Sequence, residues 1–217
     1  MQYQAVLFDL DGTLADTALD LGGALNTLLV KRGLPPKNME DIRPVASHGA
    51  NGLILLGAGI TKAHPDHTEW RQAYLAEYEQ CFDCDTVLFG GVNEMLKGLA
   101  ERSLKWGIVT NKPKTFAERL VSKLGFIFPP SVLVCGDTCD EAKPSIKPML
   151  YACRQIAVAP ERCLYVGDAE RDILAGRNSG MTTVLADWGY IASDDRTEEW
   201  GADIRIAKPL DLLEHLD

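Results

Sequence analysis

Asp9, Asp11 and Thr13 follow one another at intervals of two in the stretch AVLFDLDGTLADT, directly after the apolar run Ala5–Phe8. Two carboxylates this close at the end of a buried run repel each other and lose hydration, so a cation has to compensate them. Other apolar runs end in polar residues too. One ends in Thr110-Asn111-Lys112, a second is followed by a loop holding Lys143, and a third leads into Gly167-Asp168 with Asp172 four residues on. Brought together, Asp9, Asp11, Asp168 and Asp172 supply up to four negative charges in one crevice. Hard carboxylate oxygens with room for water suit Mg2+. Lys143 and Thr110 add a positive charge and a hydroxyl donor, which suits a phosphate. A single Asp at a strand end is more often a helix cap or a turn former. Their joint occurrence at successive run ends is what points to chemistry.

The elements that must position them are short apolar runs alternating with longer helical patterns. The runs are Ala5–Phe8, Trp106–Thr110, Val132–Cys135, Cys163–Val166 and Thr182–Ala186, with little polar alternation, as strands buried on both faces require. Helical patterns cover Val92–Arg102, Thr115–Leu124, Ile146–Val158 and Ile173–Ser179. This rhythm predicts an α/β fold with a Rossmann-like, doubly wound parallel sheet, in which ligands bind beyond the carboxyl ends of the strands. From about Asp16 to Leu88 no strand is evident, and Asp20–Lys31, Met39–Leu56 and Thr68–Cys81 read as helices. Roughly seventy residues are too many for a simple crossover. The pattern predicts a core of residues 1–15 and 90–217 with an inserted α-helical cap, residues 16–89. Ala15–Ala18 and Leu88–Val92 would then be the hinges, Gly90 and Gly91 letting the second bend, and Asp16 is placed to cap the first cap helix.

Of 217 residues 46% are apolar and 24% charged, which predicts a soluble globular chain. With 22 basic against 31 acidic residues the net charge is −9, so nucleic acid and anionic membrane are unsuited as main partners. No signal-peptide pattern or membrane-length apolar stretch is evident, and a cytoplasmic location is expected. The six cysteines include one CxxC, Cys81 and Cys84, without the second pair a structural zinc site needs, so reduced thiols are expected.

DLDGT, VTNK, AKP and GDAERD resemble, in order and over the whole chain, the four motifs of the haloacid dehalogenase superfamily. The cap is similar to that of its phosphoglycolate-phosphatase-like branch. The resemblance implies a Mg2+-dependent phosphatase acting on a small phosphorylated metabolite. Asp9 would be the nucleophile that forms an aspartyl-phosphate, and Asp11 the general acid and base. Thr110, the Asn111 backbone and Lys143 would bind phosphate. Mg2+ would be held by Asp9, the Asp11 backbone carbonyl and Asp168, with Asp172 orienting groups behind them. The loop KPSIKP departs from the common KPDPEP at Ser145 and Ile146 but keeps Lys143. Dehalogenases of this superfamily lack the second aspartate, which Asp11 supplies here. Sugar-phosphate mutases carry a histidine where this chain has Leu21, and a non-catalytic phosphate-ligand-binding relative would be expected to lose Asp9 or Asp11. In the cap, Arg43, Ser47 and His48 are the expected specificity residues, Arg43 being suited to a substrate carboxylate. DWGYIASDD, EEWGAD and KPLDL, with VTNKPKTFAE, are similar to N-acetylmuramic acid 6-phosphate phosphatases, often labelled phosphoglycolate phosphatases. A monomer or a homodimer is expected.

Overall fold

The apolar run that opens the chain becomes the central strand of a parallel sheet. The structure, a computed structural model, describes residues 3–216. Strand β1 (Ala5–Phe8) lies between β4 (Lys105–Val109) and β6 (Cys163–Gly167), and the sheet runs β5 (Leu133–Val134), β4, β1, β6, β7 (Thr182–Ala186), β8 (Ile204–Ile206). The chain passes outward from β1 to β4 and β5, then returns to the other side of β1 for β6, β7 and β8. The strand order therefore reverses at β1, which is where doubly wound sheets bind their ligands. The register makes this concrete: Phe8 lies level with Ile108 on one side and Val166 on the other. The residues just beyond, Asp9, Thr110 and Asp168, consequently emerge at one edge of the sheet.

Helices α5 (Val92–Glu101) and α7 (Lys147–Ile156) pack on β4, α7 reaches β5 as well, and α8 (Glu170–Asn178) packs on β6 and β7; α6 (Lys114–Lys123) follows β4 in sequence. Leu7, Val109, Val134, Met149, Ile156 and Tyr165 meet in one buried cluster. Helix α8 begins earlier than its apolar pattern suggests, because the Asp172 carboxylate accepts the Ala169 N–H at 3.1 Å and closes the first turn. Strand β8 was not expected. It is three residues long and one of them is Arg205, so it leaves no apolar run to notice.

The described residues divide into two compact units, one within Met1–Ala15 and Leu88–Asp217, the other Asp16–Val87. Where the chain passes between them, the two-residue strands β2 (Ala15–Asp16) and β3 (Val87–Leu88) pair with each other. These too escape a sequence reading, being too short for periodicity. The second unit contains α1 (Ala18–Lys31), α2 (Met39–Ile42), α3 (Gly49–Ala58) and α4 (His67–Glu79). Asp16 accepts the Ala18 N–H at 3.4 Å at the start of α1. The single helix expected over Met39–Leu56 is broken into α2, a 3-10 turn over Arg43–His48, and α3. Pro44 has no N–H to give the Glu40 carbonyl, and Gly49 turns the chain with φ +58°. No described helix is long and apolar enough to cross a membrane.

Within this unit α1 buries Leu21, Leu25, Leu28 and Leu29 against α3 and α4, and the Tyr74 hydroxyl donates to the Leu21 carbonyl at 3.1 Å. Asp20, also buried, accepts the Asp85 N–H at 2.9 Å, the Thr86 N–H at 3.1 Å and the Thr86 hydroxyl at 2.6 Å. It ties the start of α1 to the segment preceding β3. Asp20→Ala strips three donors of their acceptor and should cost about 2–4 kcal/mol. Urea unfolding monitored by circular dichroism measures this, and Asp20→Asn, which keeps an acceptor oxygen, should lose less.

Candidate functional site

Asp9 leaves the end of β1 buried, with 2% of its surface exposed. Its Oδ1 accepts the Leu10 N–H at 2.8 Å and lies 2.9 Å from the Lys143 Nζ; its Oδ2 lies 3.7 Å from Arg171. Burial works against the charged form. The cations Lys143 and Arg171, with the two hydrogen bonds, outweigh it and hold the carboxyl below the usual range.

The Lys143 side chain is fully buried, and its ammonium meets three groups. It donates to the Tyr165 hydroxyl at 2.7 Å and is ion-paired with Asp9 and with Asp172 Oδ1, the latter at 2.8 Å. Tyr165 in turn donates to the Val109 carbonyl at 2.7 Å. Burial, then the charges of Asp172 and Asp9, push the Tyr165 phenol well above its ordinary value, so it stays a neutral donor. Burial and the nearby Asp9 push Asp172 upward against the pull of Lys143 and Arg171. The Lys143 backbone is clamped as well: the Asn111 amide donates to its carbonyl at 2.9 Å and accepts its N–H at 3.0 Å. The Asn111 side chain therefore holds the Lys143 loop. Beside it, Thr110 Oγ1 accepts the Lys112 N–H at 3.1 Å.

Asp168, at the end of β6, has no exposed surface. The Thr13 hydroxyl donates to its Oδ1 at 3.0 Å and the Tyr190 N–H to its Oδ2 at 2.8 Å. Gly12 sits against it with φ +88°, and a Cβ there would fall 2.2 Å from Asp168 Oδ2. The left-handed conformation and the close approach both demand glycine. Asp9, Asp168 and Asp172 each offer a carboxylate oxygen, all within 4.8 Å of one another. Three carboxylates face two cations, Lys143 and Arg171. This excess of hard anionic oxygen fits a divalent ion such as Mg2+. The Asp11 side chain lies outside that cluster, paired with Lys112 Nζ at 2.8 Å.

Sequence reasoning named Lys112 at a run end without giving it a role, and gave none to three other participants. Lys112 was visible as the last residue of VTNK, and Arg171 as the residue before Asp172 in GDAERD. Tyr165 lies within an apolar run and Trp188 within the C-terminal DWGY stretch, and neither carries a local signal. Of the expected cap residues, Arg43 lies in the second unit with both Nη atoms on Asp16, at 3.1 and 2.9 Å. Ser47 and His48 end the same 3-10 turn, half-buried and exposed respectively. Cys81 donates its thiol to the Asp20 and Glu77 carbonyls, and burial followed by neighbouring carboxylates pushes it up to about 11.

A reversal of strand order at β1, buried carboxylates at the ends of β1 and β6, and a buried lysine from the loop after β5 together describe a known class. Residues 6–186 match the haloacid dehalogenase-like hydrolase family, and the chain belongs to it. It is 37% identical over 217 residues to the N-acetylmuramic acid 6-phosphate phosphatase of Pseudomonas aeruginosa, covering 100% of this chain and 96% of that one. It is 42% identical over 215 residues to the phosphoglycolate phosphatase of Xanthomonas campestris pv. campestris, covering 97% of this chain and 95% of that one. The fold matches a haloacid dehalogenase-like hydrolase from Streptococcus pneumoniae with a TM-score of 0.86 at 23% identity, covering 100% of this chain and 99% of that one.

The Tyr165 hydroxyl is the neutral link between a buried ammonium and a backbone carbonyl. Tyr165→Phe leaves one Lys143 proton and the Val109 carbonyl without that partner, and should lower stability by about 1–3 kcal/mol in chemical denaturation.

Proposed function

We propose that the protein is a Mg2+-dependent phosphatase that hydrolyses a small, carboxylate-bearing phosphate monoester through a phosphorylated Asp9. The observation that carries this reading is the state of Asp9, a buried carboxylate kept charged by Lys143 and Arg171. The Leu10 N–H and Lys143 meet on Oδ1 and fix the plane of the group. A charged, oriented carboxylate is what attack on phosphorus requires.

In the first step a bond forms between Asp9 and phosphorus while the bond from phosphorus to the alkoxide breaks. The protonated form of Asp11 gives its proton to the departing oxygen and is left as the carboxylate. In the second step water attacks the aspartyl-phosphate, Asp11 takes the proton of that water, and phosphate leaves with Asp9 restored. Lys112, 2.8 Å from Asp11, sets the direction of that carboxylate. Thr110, the Asn111 backbone and Lys143 grip the oxygens that are not transferred. Lys143 already meets Asp9, Asp172 and Tyr165, so binding phosphate means giving up or sharing one of these partners. Asp9, Asp168 and the Asp11 carbonyl would hold Mg2+, with Asp172 orienting Lys143 behind them. The ion supplies charge that offsets repulsion between nucleophile and phosphate.

The names of the relatives support a carboxylated substrate, since N-acetylmuramic acid and glycolate both carry that group. Arg43 supports it too. Its fork already grips the Asp16 carboxylate from two nitrogens, and a substrate carboxylate would take the place of Asp16. Ser47 and His48 follow on the same turn and would line the specificity surface.

Asp9→Asn should lower kcat by at least about 10^4-fold with unchanged circular dichroism, because the amide cannot attack phosphorus. Beryllium fluoride should occupy the wild-type aspartate in its place. Turnover should stop in a chelator and return with Mg2+. Full activity in metal-free buffer, or normal turnover by folded Asp9→Asn, defeats the reading. For specificity, Arg43→Ala should raise KM for N-acetylmuramic acid 6-phosphate or phosphoglycolate by roughly ten- to a hundredfold, about 1.5–3 kcal/mol for a lost charge-assisted contact. Hydrolysis of p-nitrophenyl phosphate, which has no carboxylate, should change little. Equal losses on both esters would assign Arg43 to the folding of its own unit.

A further inference from the structure

The turn after β7 reads Asp187-Trp188-Gly189-Tyr190, and no step above uses it. It is anchored at its start, where the Asp187 N–H donates to the Ile206 carbonyl at 3.0 Å and Arg205 Nε donates to the Asp187 carboxylate at 2.6 Å. From this fixed base the Trp188 indole N–H donates to the Thr13 carbonyl at 3.0 Å. Thr13 passes the constraint on, its hydroxyl donating to Asp168 Oδ1 at 3.0 Å. The Tyr190 N–H meets the other oxygen, Oδ2, at 2.8 Å and returns to the same turn. The hydrogen bonds thus close a ring: turn, indole, Thr13, Asp168, and turn again. Gly189 completes it, since a Cβ there would lie 2.1 Å from the Asp168 Cβ, so the turn is in backbone contact with the carboxylate it orients.

We propose that Trp188 is a positioning residue, which holds the Asp168 carboxylate, through Thr13, in the orientation that binds the divalent cation. This rests on the reading of Asp168 as a metal ligand. The physical case is one of geometry. A carboxylate on a single torsion can rotate its plane, and a ligand that must stop rotating to bind loses affinity. The Thr13 hydroxyl on one oxygen and the Tyr190 N–H on the other restrict that freedom before the ion arrives. The Thr13 donor can only be as well placed as its own backbone, which lies in the tight turn where the N–H groups of Leu14 and Ala15 both meet the Leu10 carbonyl. The indole pins that turn from across the sheet. Packing alone would not require a donor at this position. The N–H aimed at a carbonyl of the Asp9 loop does.

The test is direct metal binding by the full chain, read from the electron paramagnetic resonance signal of free Mn2+ during titration, with Mg2+ activation of p-nitrophenyl phosphate hydrolysis measured in parallel. Trp188→Phe keeps an aromatic ring and removes the donor. It should weaken the half-saturation for Mn2+ and Mg2+ by roughly tenfold, the low end for losing a group that orients a metal ligand. Its kcat should recover at high Mg2+, with KM for the ester little changed. Trp200→Phe is the control: Trp200 packs on Ile173 and Leu185 and has no part in the ring, so its loss should lower the unfolding temperature and leave metal binding as it was. Wild-type protein that neither binds Mn2+ nor responds to Mg2+ would overturn the metal reading and this inference with it. Wild type that binds while folded Trp188→Phe binds equally well overturns this inference alone. If Trp188→Phe does not fold, Thr13→Val and Thr13→Ser decide. Only valine removes the hydroxyl, and unchanged binding by Thr13→Val breaks the relay on which the inference depends.

Discussion

The Lys143 ammonium, buried between Asp9 and Asp172, is the interaction on which the rest of the site depends. A cation with no exposed surface is tolerable only if hydrogen bonding and nearby opposite charge offset the loss of water. Asp9 and Asp172 supply the charge at 2.9 and 2.8 Å, and the Tyr165 hydroxyl accepts a hydrogen bond at 2.7 Å. The dependence runs both ways. Without Lys143 the two carboxylates would face each other buried, and removing one partner of such a pair typically costs about 3–5 kcal/mol. The same contacts that make the lysine tolerable keep Asp9 charged. The stability of the buried cluster and the charge on Asp9 are here one set of distances.

Much of the surrounding architecture serves to bring these groups to one place. The parallel register sets Phe8 level with Ile108 and Val166, so β1, β4 and β6 deliver their next residues to one edge. Lys143 comes from a loop rather than a strand end, and needs its own fixture. Asn111, at the end of β4, supplies it through two hydrogen bonds to the Lys143 backbone. Asp168 is fixed from a third direction, by Thr13 and by the turn after β7. Each carboxylate is thus oriented by elements far apart in the chain.

The second unit has its own logic. Asp20 and the Asp16–Arg43 pair both tie the beginning of α1 to other parts of the unit, but they differ in exposure. Asp20 is buried and accepts three hydrogen bonds, which makes it structural. Arg43 and Asp16 are partly exposed, so water and other carboxylates can compete for the guanidinium. A pair of that kind can exchange partners at little cost, which is what substrate recognition by Arg43 would require.

The sequence by itself determined the fold class and the identities of the acidic residues. Continuous apolar runs alternating with helical patterns have few solutions other than a doubly wound sheet, and a parallel sheet brings Asp9, Thr110 and Asp168 together whatever the details. It also marked residues about 16–89 as a helical insertion, by the absence of strands over too long a stretch. It did not show the break at Pro44 and Gly49, because apolar periodicity continues through residues that cannot continue a helix. Which cation meets which carboxylate was decided by the tertiary structure alone. Lys112 reaches Asp11, Arg171 approaches Asp9, and Trp188 reaches Thr13 across 175 positions. Such pairings depend on side-chain direction and separation at the sheet edge. Local composition carries no trace of either, since the same residue types at the same positions could as well have faced water.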